Sequence, residues 1–325
     1  MDSISLPVES QPSMFHAGGP AAERIAQLGW VFTSVAVAVT VVAVAVLIAA
    51  LHRRRSGRTQ GVGPFEDPRG PLRWIVTGGV ILPAIILAVC FVCTLLTQSA
   101  IARPPRPVVA TIRVTAHRWW WEVRYPGIAG AAEVVTANEI HIPAGEAVQV
   151  ELVSNDVIHS FWVPELAGKT DVIPGQTNSM WLQADHPGRY LGECAEYCGV
   201  QHAHMGFVVV ADAPADFAFW AAGQRLPAGA PAEQAASAGL EVFRRSSCAA
   251  CHAIRGTGIA APAGPDLTHV ASRTTLASAM LPNNRGNLAG WVTNAQSLKP
   301  GSEMPTIRLN GRDLQALVAY LEALR

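Results

Sequence analysis

A chain of 325 residues is longer than one small core requires and fits two or three modules of ordinary size. Lysine plus arginine and aspartate plus glutamate stand at 24 each, and only 15% of residues are charged. The balance gives no support for nucleic-acid binding, which needs a basic surface, and it fits a chain that lies partly in lipid.

The first predicted elements are two uncharged apolar runs, residues 30–51 and 74–96. Each reaches the roughly 20 residues that a spanning helix needs. A buried core helix is the alternative, but the first run is Val/Ala-rich all round and offers solvent no polar face. Pro83 interrupts the second run, an interruption a spanning helix tolerates because shifted hydrogen bonds and neighbouring helices re-satisfy the backbone. Between the runs lie Arg53, Arg54, Arg55, Arg58, Arg69 and Arg73 against Glu66 and Asp67, so the positive-inside rule places this loop in the cytoplasm and both chain ends outside. With no basic segment before the first run and no small-residue cleavage site close behind it, that run reads as an uncleaved anchor. The expected order is an extracytoplasmic tail 1–27, spanning helices 28–51 and 74–98 joined by a cytoplasmic loop 52–73, and a stiff proline-rich linker 99–107.

From 108 to 213 short apolar-polar alternations at 111–115, 139–142, 148–153 and 207–210, separated by Pro/Gly turns, predict a β-sandwich or barrel. An Ala/Gly/Pro-rich linker is expected over 214–231. The remainder, 232–325, predicts helices around 233–243, 287–294 and 310–324. In the last, Leu314, Leu317, Val318, Leu321 and Leu324 form one apolar stripe, with Asn310 and Asp313 in capping positions. The fold class is therefore multi-domain: a two-helix transmembrane hairpin, an all-β sandwich or barrel, then a small all-α domain.

The six cysteines fall in three pairs. Cys90 and Cys93 sit in the second apolar run without a nearby His or carboxylate and read as packing residues. Cys194 and Cys198 share a short segment with Glu196, His202, His204 and Met205. Two thiolates, an imidazole and a thioether are soft ligands suited to copper, with a disulfide and a four-ligand zinc site as the alternatives. His159, on a separate predicted strand edge, offers a second imidazole. A mononuclear blue-copper site needs one Cys, so the second demands explanation, and two thiolates bridging two copper ions provide it. The third pair, Cys248-Ala-Ala-Cys251-His252, is the C-x-x-C-H signature of covalent c-type haem attachment, in which two thioethers fix the porphyrin and the adjacent imidazole reaches the iron.

On these residues, the segment 81–87, the aromatic run Trp119-Trp120-Trp121, residues 157–161, Lys169-Thr170-Asp171 with Pro174-Gly175, and 194–205, the chain resembles the subunit II family of cytochrome c oxidases. Residues from about 232 to 325 resemble a class I cytochrome c. The resemblance implies a cupredoxin domain over 108–213 carrying a dinuclear copper A centre, with Cys194 and Cys198 bridging two copper ions, His159 and His202 each terminating one, and Met205 and the Glu196 carbonyl as weak axial ligands. It further implies a magnesium ion held partly by the Glu196 side chain at a subunit interface, and electron input through Trp119. His204 matches no ligand position. For the one haem c, held by Cys248, Cys251 and His252, Met304 is the expected sixth ligand, with Met280 and His269 as alternatives. Met/His ligation raises the potential.

The implied function is that of a respiratory oxidase subunit passing electrons from a donor through haem c to copper A and on to the catalytic subunit that reduces oxygen. No catalytic site is expected in this chain. The expected partners are subunits I and III and a donor, cytochrome c or another carrier linked to quinol dehydrogenation, and the expected location is a bacterial inner membrane. A copper A subunit of a nitric oxide reductase and a membrane-anchored copper chaperone are the competing readings; the chaperone requires a thioredoxin-like alternation of strands and helices. One departure concerns proton entry: the family's second span usually opens with a glutamate, and the matching position here is Val76.

Overall fold

The computed structural model describes residues 13–56, 69–126 and 133–325. Arg58, Glu66 and Asp67, in the loop expected to be cytoplasmic, lie outside the described residues. Contacts divide the chain into two compact units, Glu23–Arg103 and a second made of Met1–Ala22 with Pro104–Arg325.

The first unit is helical. α1 spans Pro20–Arg55, and the second helix runs as α2 (Arg69–Val76), a π turn (Thr77–Ile81) and α3 (Leu82–Ile101). Two helical segments, Pro20–Arg55 and Leu72–Ile101, are long and apolar enough to cross a membrane, and their apolar windows are not buried against protein. The π turn immediately precedes Pro83. Proline lacks an amide donor and its ring crowds the carbonyl four residues back, so a wider turn there relieves both problems without ending the helix. Thr94 donates from Oγ1 to the Cys90 carbonyl at 2.9 Å, satisfying its hydroxyl within the apolar stretch.

In the second unit, residues 108–212 form two five-stranded sheets. One has the order β3 (Val134–Ala137), β2 (Trp120–Tyr125), β1 (Val108–His117), β5 (Ala147–Ser154) and β8 (Asn178–Leu182). The other runs β4 (Glu139–Pro143), β10 (Gly206–Asp212), β9 (Gly188–Cys194), β6 (His159–Trp162) and β7 (Thr170–Val172). Alternation along the strands buries Ile112, Val114 and Ala116 from β1 and Val148, Val150 and Leu152 from β5, as a sandwich core requires. Trp121 is fully buried between Phe161 and Phe207, at ring separations of 5.6 and 5.4 Å. The chain entering α1, with the first residues of that helix, joins this unit: the Gly18 amide donates to the Glu165 carbonyl at 2.7 Å and the Ala22 amide to that of Leu166 at 3.2 Å.

The segment expected as a linker contains a helix, α4 (Pro214–Gln224). Its Trp220 stacks on His141 at 4.1 Å and meets Tyr125 edge-on, so aromatic packing onto the sandwich orders a stretch whose small residues suggest a connector. The rest of the unit is helical: α5 (Gln234–Arg245), α6 (Cys248–Cys251), α7 (Arg285–Thr293), α8 (Ala295–Leu298) and α9 (Gly311–Ala323), with two short hairpins. The Asn310 side chain caps α9 by accepting from the Asp313 amide at 2.8 Å. Leu317, Val318 and Leu321 of α9 join Val242 and Phe243 of α5 in one core.

Candidate copper and haem sites

The sandwich brings the first set of ligands together from two places. β6 pairs antiparallel with β9, with Phe161 opposite Cys194, which sets His159 beside the end of β9. Beyond it the chain loops out and returns, and the loop is closed where the Cys194 amide donates to the Met205 carbonyl at 3.1 Å. Within the loop Gly199 adopts φ +121°, and a Cβ there would lie 2.8 Å from the Trp119 ring, so this position needs glycine for both conformation and space.

The resulting donor set is compact. His159, Cys194 and Cys198 are buried, with ligand atoms all within 4.8 Å of one another. The two Sγ atoms are 3.8 Å apart, and neither cysteine is in a disulfide. His159 Nδ1 lies 3.7 Å from Cys194 Sγ, and His202 Nδ1 lies 3.7 Å from Cys198 Sγ. The Met205 thioether is 3.8 Å from Cys198 Sγ, and the Glu196 carbonyl oxygen is 3.3 Å from Cys194 Sγ. An imidazole and a weak donor at each end of a thiolate pair match two soft cations bridged by sulfur.

Electrostatics favour the same occupant. A hydrogen bond from the Cys198 thiol pulls Cys194 far below the usual thiol range, and the same bond pushes Cys198 up. A thiolate at Cys194 thus favours a proton on Cys198, and cations entering between the sulfurs would favour ionising both. His159 Nε2 is held by Asp156 Oδ1 at 2.8 Å, leaving Nδ1 for a metal. Asp156 is itself fixed by amides of Val157 and Arg118, at 2.6 and 2.7 Å. Sequence reasoning missed Asp156; its only signal is an acid three residues before a candidate ligand.

The aromatic run divides by environment. Trp119 is buried and donates from Nε1 to the Cys198 carbonyl at 3.1 Å. Trp121 donates to the Met205 carbonyl at 3.3 Å and is core, whereas Trp120 is half-buried and stacks on His117 at 4.3 Å. The Glu196 side chain is exposed, as is His204.

The second set surrounds a cavity of about 260 Å³, lined by Cys248, Cys251, His252 and Met304 among apolar side chains such as Leu288 and Val292. His252 follows α6 directly, and its Nδ1 bonds the Pro265 carbonyl at 2.8 Å, leaving Nε2 free to bind iron. A Cβ on Gly264 would come within 2.9 Å of the imidazole, so glycine is needed for the ring to stand there. Burial lowers the His252 pKa and keeps it a neutral ligand. A flat apolar group bearing two thioether bonds fits these walls. Met280 and His269 do not line the cavity, and His269 Nε2 is engaged by the Leu226 carbonyl at 2.9 Å. Arg118, Trp119 and Trp120 from the sandwich also line it, so the cavity reaches the copper domain.

Residues 128–212 match the family described as cytochrome c oxidase subunit II, periplasmic domain, and residues 236–325 match cytochrome c. The chain is 38% identical over 295 residues to cytochrome c oxidase subunit 2 of Alkalihalophilus pseudofirmus, covering 88% of this chain and 83% of the relative. This chain belongs to the cytochrome c oxidase subunit 2 family. A second member, from Bacillus sp. (strain PS3), is 30% identical over 295 residues, covering 84% of this chain and 80% of that one. Among solved structures, the periplasmic domain of subunit II of cytochrome oxidase of Bradyrhizobium japonicum is 29% identical, covering 37% of this chain and 96% of that one at a TM-score of 0.35. As a family member the chain is a subunit of an oxidoreductase complex, with a copper-domain fold and a cytochrome c domain. The thioredoxin-like fold that a chaperone reading requires is replaced by an all-β sandwich.

Proposed function

We propose that this chain is the electron-input subunit of a respiratory terminal oxidase, receiving electrons from a donor at haem c and passing them through copper A to a catalytic subunit I that reduces oxygen to water. The observation that carries this reading is the cavity of the cytochrome domain, which is walled on one side by Trp119, while Trp119 in turn hydrogen-bonds the backbone of Cys198. When bound, haem c and the copper pair supply one-electron carriers of low reorganisation.

The chain's own residues do the rest. Cys194 and Cys198 would bridge the coppers, His159 and His202 would cap them through Nδ1, and Met205 Sδ with the Glu196 carbonyl would serve as weak axial donors. Asp156 fixes the His159 ring. Cys248 and Cys251 would anchor the porphyrin, with His252 and Met304 as axial ligands. The exposed Glu196 carboxylate would reach a magnesium ion shared with the catalytic subunit. Trp119, which lines the cavity and bonds the Cys198 backbone, would offer a π-system between the two centres. The two apolar helices would anchor the chain in a bacterial inner membrane, with residues 108–325 on the periplasmic side, beside subunits I and III.

His252→Ala should abolish turnover driven by the physiological donor while copper content stays unchanged. Unchanged turnover with that donor would show that electrons bypass the haem and would overturn the route.

A further inference from the structure

Lys299 is 3% exposed, although nothing in the copper and haem chemistry calls for a buried lysine. It lies in the loop after α8, and its Nζ crosses into the copper domain. There it donates to the Trp119 carbonyl at 2.7 Å and to the His204 carbonyl at 2.8 Å, and within its own domain to Ser278 Oγ at 3.0 Å. Ser278 Oγ donates to the same Trp119 carbonyl at 2.8 Å. Ser278 sits in a turn whose three successive non-glycine residues, Ala277, Ser278 and Ala279, have φ of 54°, 63° and 63°. Such a run persists only where surrounding contacts impose it.

The same loop continues through Pro300, whose carbonyl accepts from Gln201 Nε2 of the copper loop at 2.6 Å, to the candidate haem ligand Met304. One segment of the cytochrome domain is therefore tied at one end to the backbone beside Trp119 and Met205, and at the other reaches the haem cavity.

We infer that Lys299 is a positioning residue for electron transfer between the two domains: its amine fixes the cytochrome domain on the copper loop and holds Trp119 in the gap. The inference rests on the proposed roles of the two sites. Burial pushes the Lys299 amine down to about 7, and a neutral amine still has donors for the two carbonyls across the interface. Tethering on one chain keeps the domains close, but closeness alone does not select one docked geometry, which the latch supplies.

The test uses the intact oxidase carrying Lys299→Met, with Ser278→Ala as a milder second variant that retains the amine. Two readouts are taken: haem-to-copper electron transfer after rapid photoreduction of the haem, and hydrogen exchange of the amides in segments 119–121 and 201–205. With haem and copper spectra unchanged, Lys299→Met should slow the transfer by about tenfold, the docked population lost with the buried amine's hydrogen bonds, and should speed exchange in both segments. Ser278→Ala should change both in the same direction by less. Should Lys299→Met fail to assemble, Ser278→Ala decides on the same two readouts. Parental rate and exchange in a loaded variant would overturn the latch. Absence of haem-to-copper transfer in the parent would instead overturn the proposed function.

Discussion

In the copper domain the polypeptide alone sets the metal-facing atoms, through strand pairing and the bond between the Cys194 amide and the Met205 carbonyl, whereas in the cytochrome domain they line a cavity of about 260 Å³. Small ions need a few donors at fixed separations, and a rigid sheet edge supplies them. A large apolar cofactor needs walls, and Leu288, Val292 and Leu321 serve both as wall and as domain core. The contrast teaches that metal loss and cofactor loss should have different structural consequences in one chain.

The largest effect should come from preventing haem attachment. Cys248→Ala with Cys251→Ala should remove the cooperative unfolding transition of the cytochrome domain while that of the sandwich persists, as followed by calorimetry. A single cooperative transition surviving in that domain would erase the contrast. Cys194→Ser comes next: copper content should fall from the proposed two ions per chain to none, with covalent haem and the sandwich transition retained, by metal analysis and circular dichroism. A smaller effect is expected from Asp156→Ala, which frees the His159 ring without removing a ligand; copper affinity should drop by about 10–100-fold, read by competition with a chelator. Gly199→Ala forces a side chain into a left-handed position against Trp119 and should cost about 1–3 kcal/mol in denaturant unfolding.

The smallest effect concerns pH. His141 lies between Asp212 at 2.7 Å and Glu139 at 3.2 Å, and Glu139 also accepts from the Thr274 amide of the cytochrome domain at 2.9 Å. Burial opposes the His141 charge, but the two carboxylates outweigh it and raise its pKa above 6.5. Burial likewise opposes ionisation of Glu139, and the bond to and charge of His141, together with the bonds from Thr274, outweigh it and lower the pKa below 4.5. The His141 contribution is complete below 6.5 and is lost as pH rises through its raised value. That of Glu139 is complete above 4.5 and is lost as pH falls. The cluster therefore stabilises most between these values, and His141→Gln should flatten the melting-temperature profile on the alkaline side of that window.

The spans and the covalent haem motif were legible because each is local: uncharged length and C-x-x-C-H carry their meaning within one segment. The copper donors were legible as residue types, since soft ligands in one short loop favour copper, but their separations depend on β6 lying against β9. Lys299 and Ser278 were not legible, because each acts through backbone atoms of residues distant in sequence, and Asp156 acts on the His159 ring with only its spacing of three residues as a signal. The stretch 214–231 reads as a linker because Ala, Gly and Pro crowd residues 221–231, yet Trp220 on His141 orders its first part as α4. The π turn before Pro83 was foreseeable only as a shift in hydrogen bonding, without its place.

The central claim is that one chain holds a thiolate-bridged copper pair beside a covalent haem. Metal and haem analysis of the purified protein, with electron paramagnetic resonance, tests it most directly. The account predicts two coppers sharing one unpaired electron, with hyperfine splitting from both nuclei, and one haem with c-type optical bands. One copper with hyperfine splitting from a single nucleus, or a Cys194–Cys198 disulfide that persists under copper loading, would contradict it.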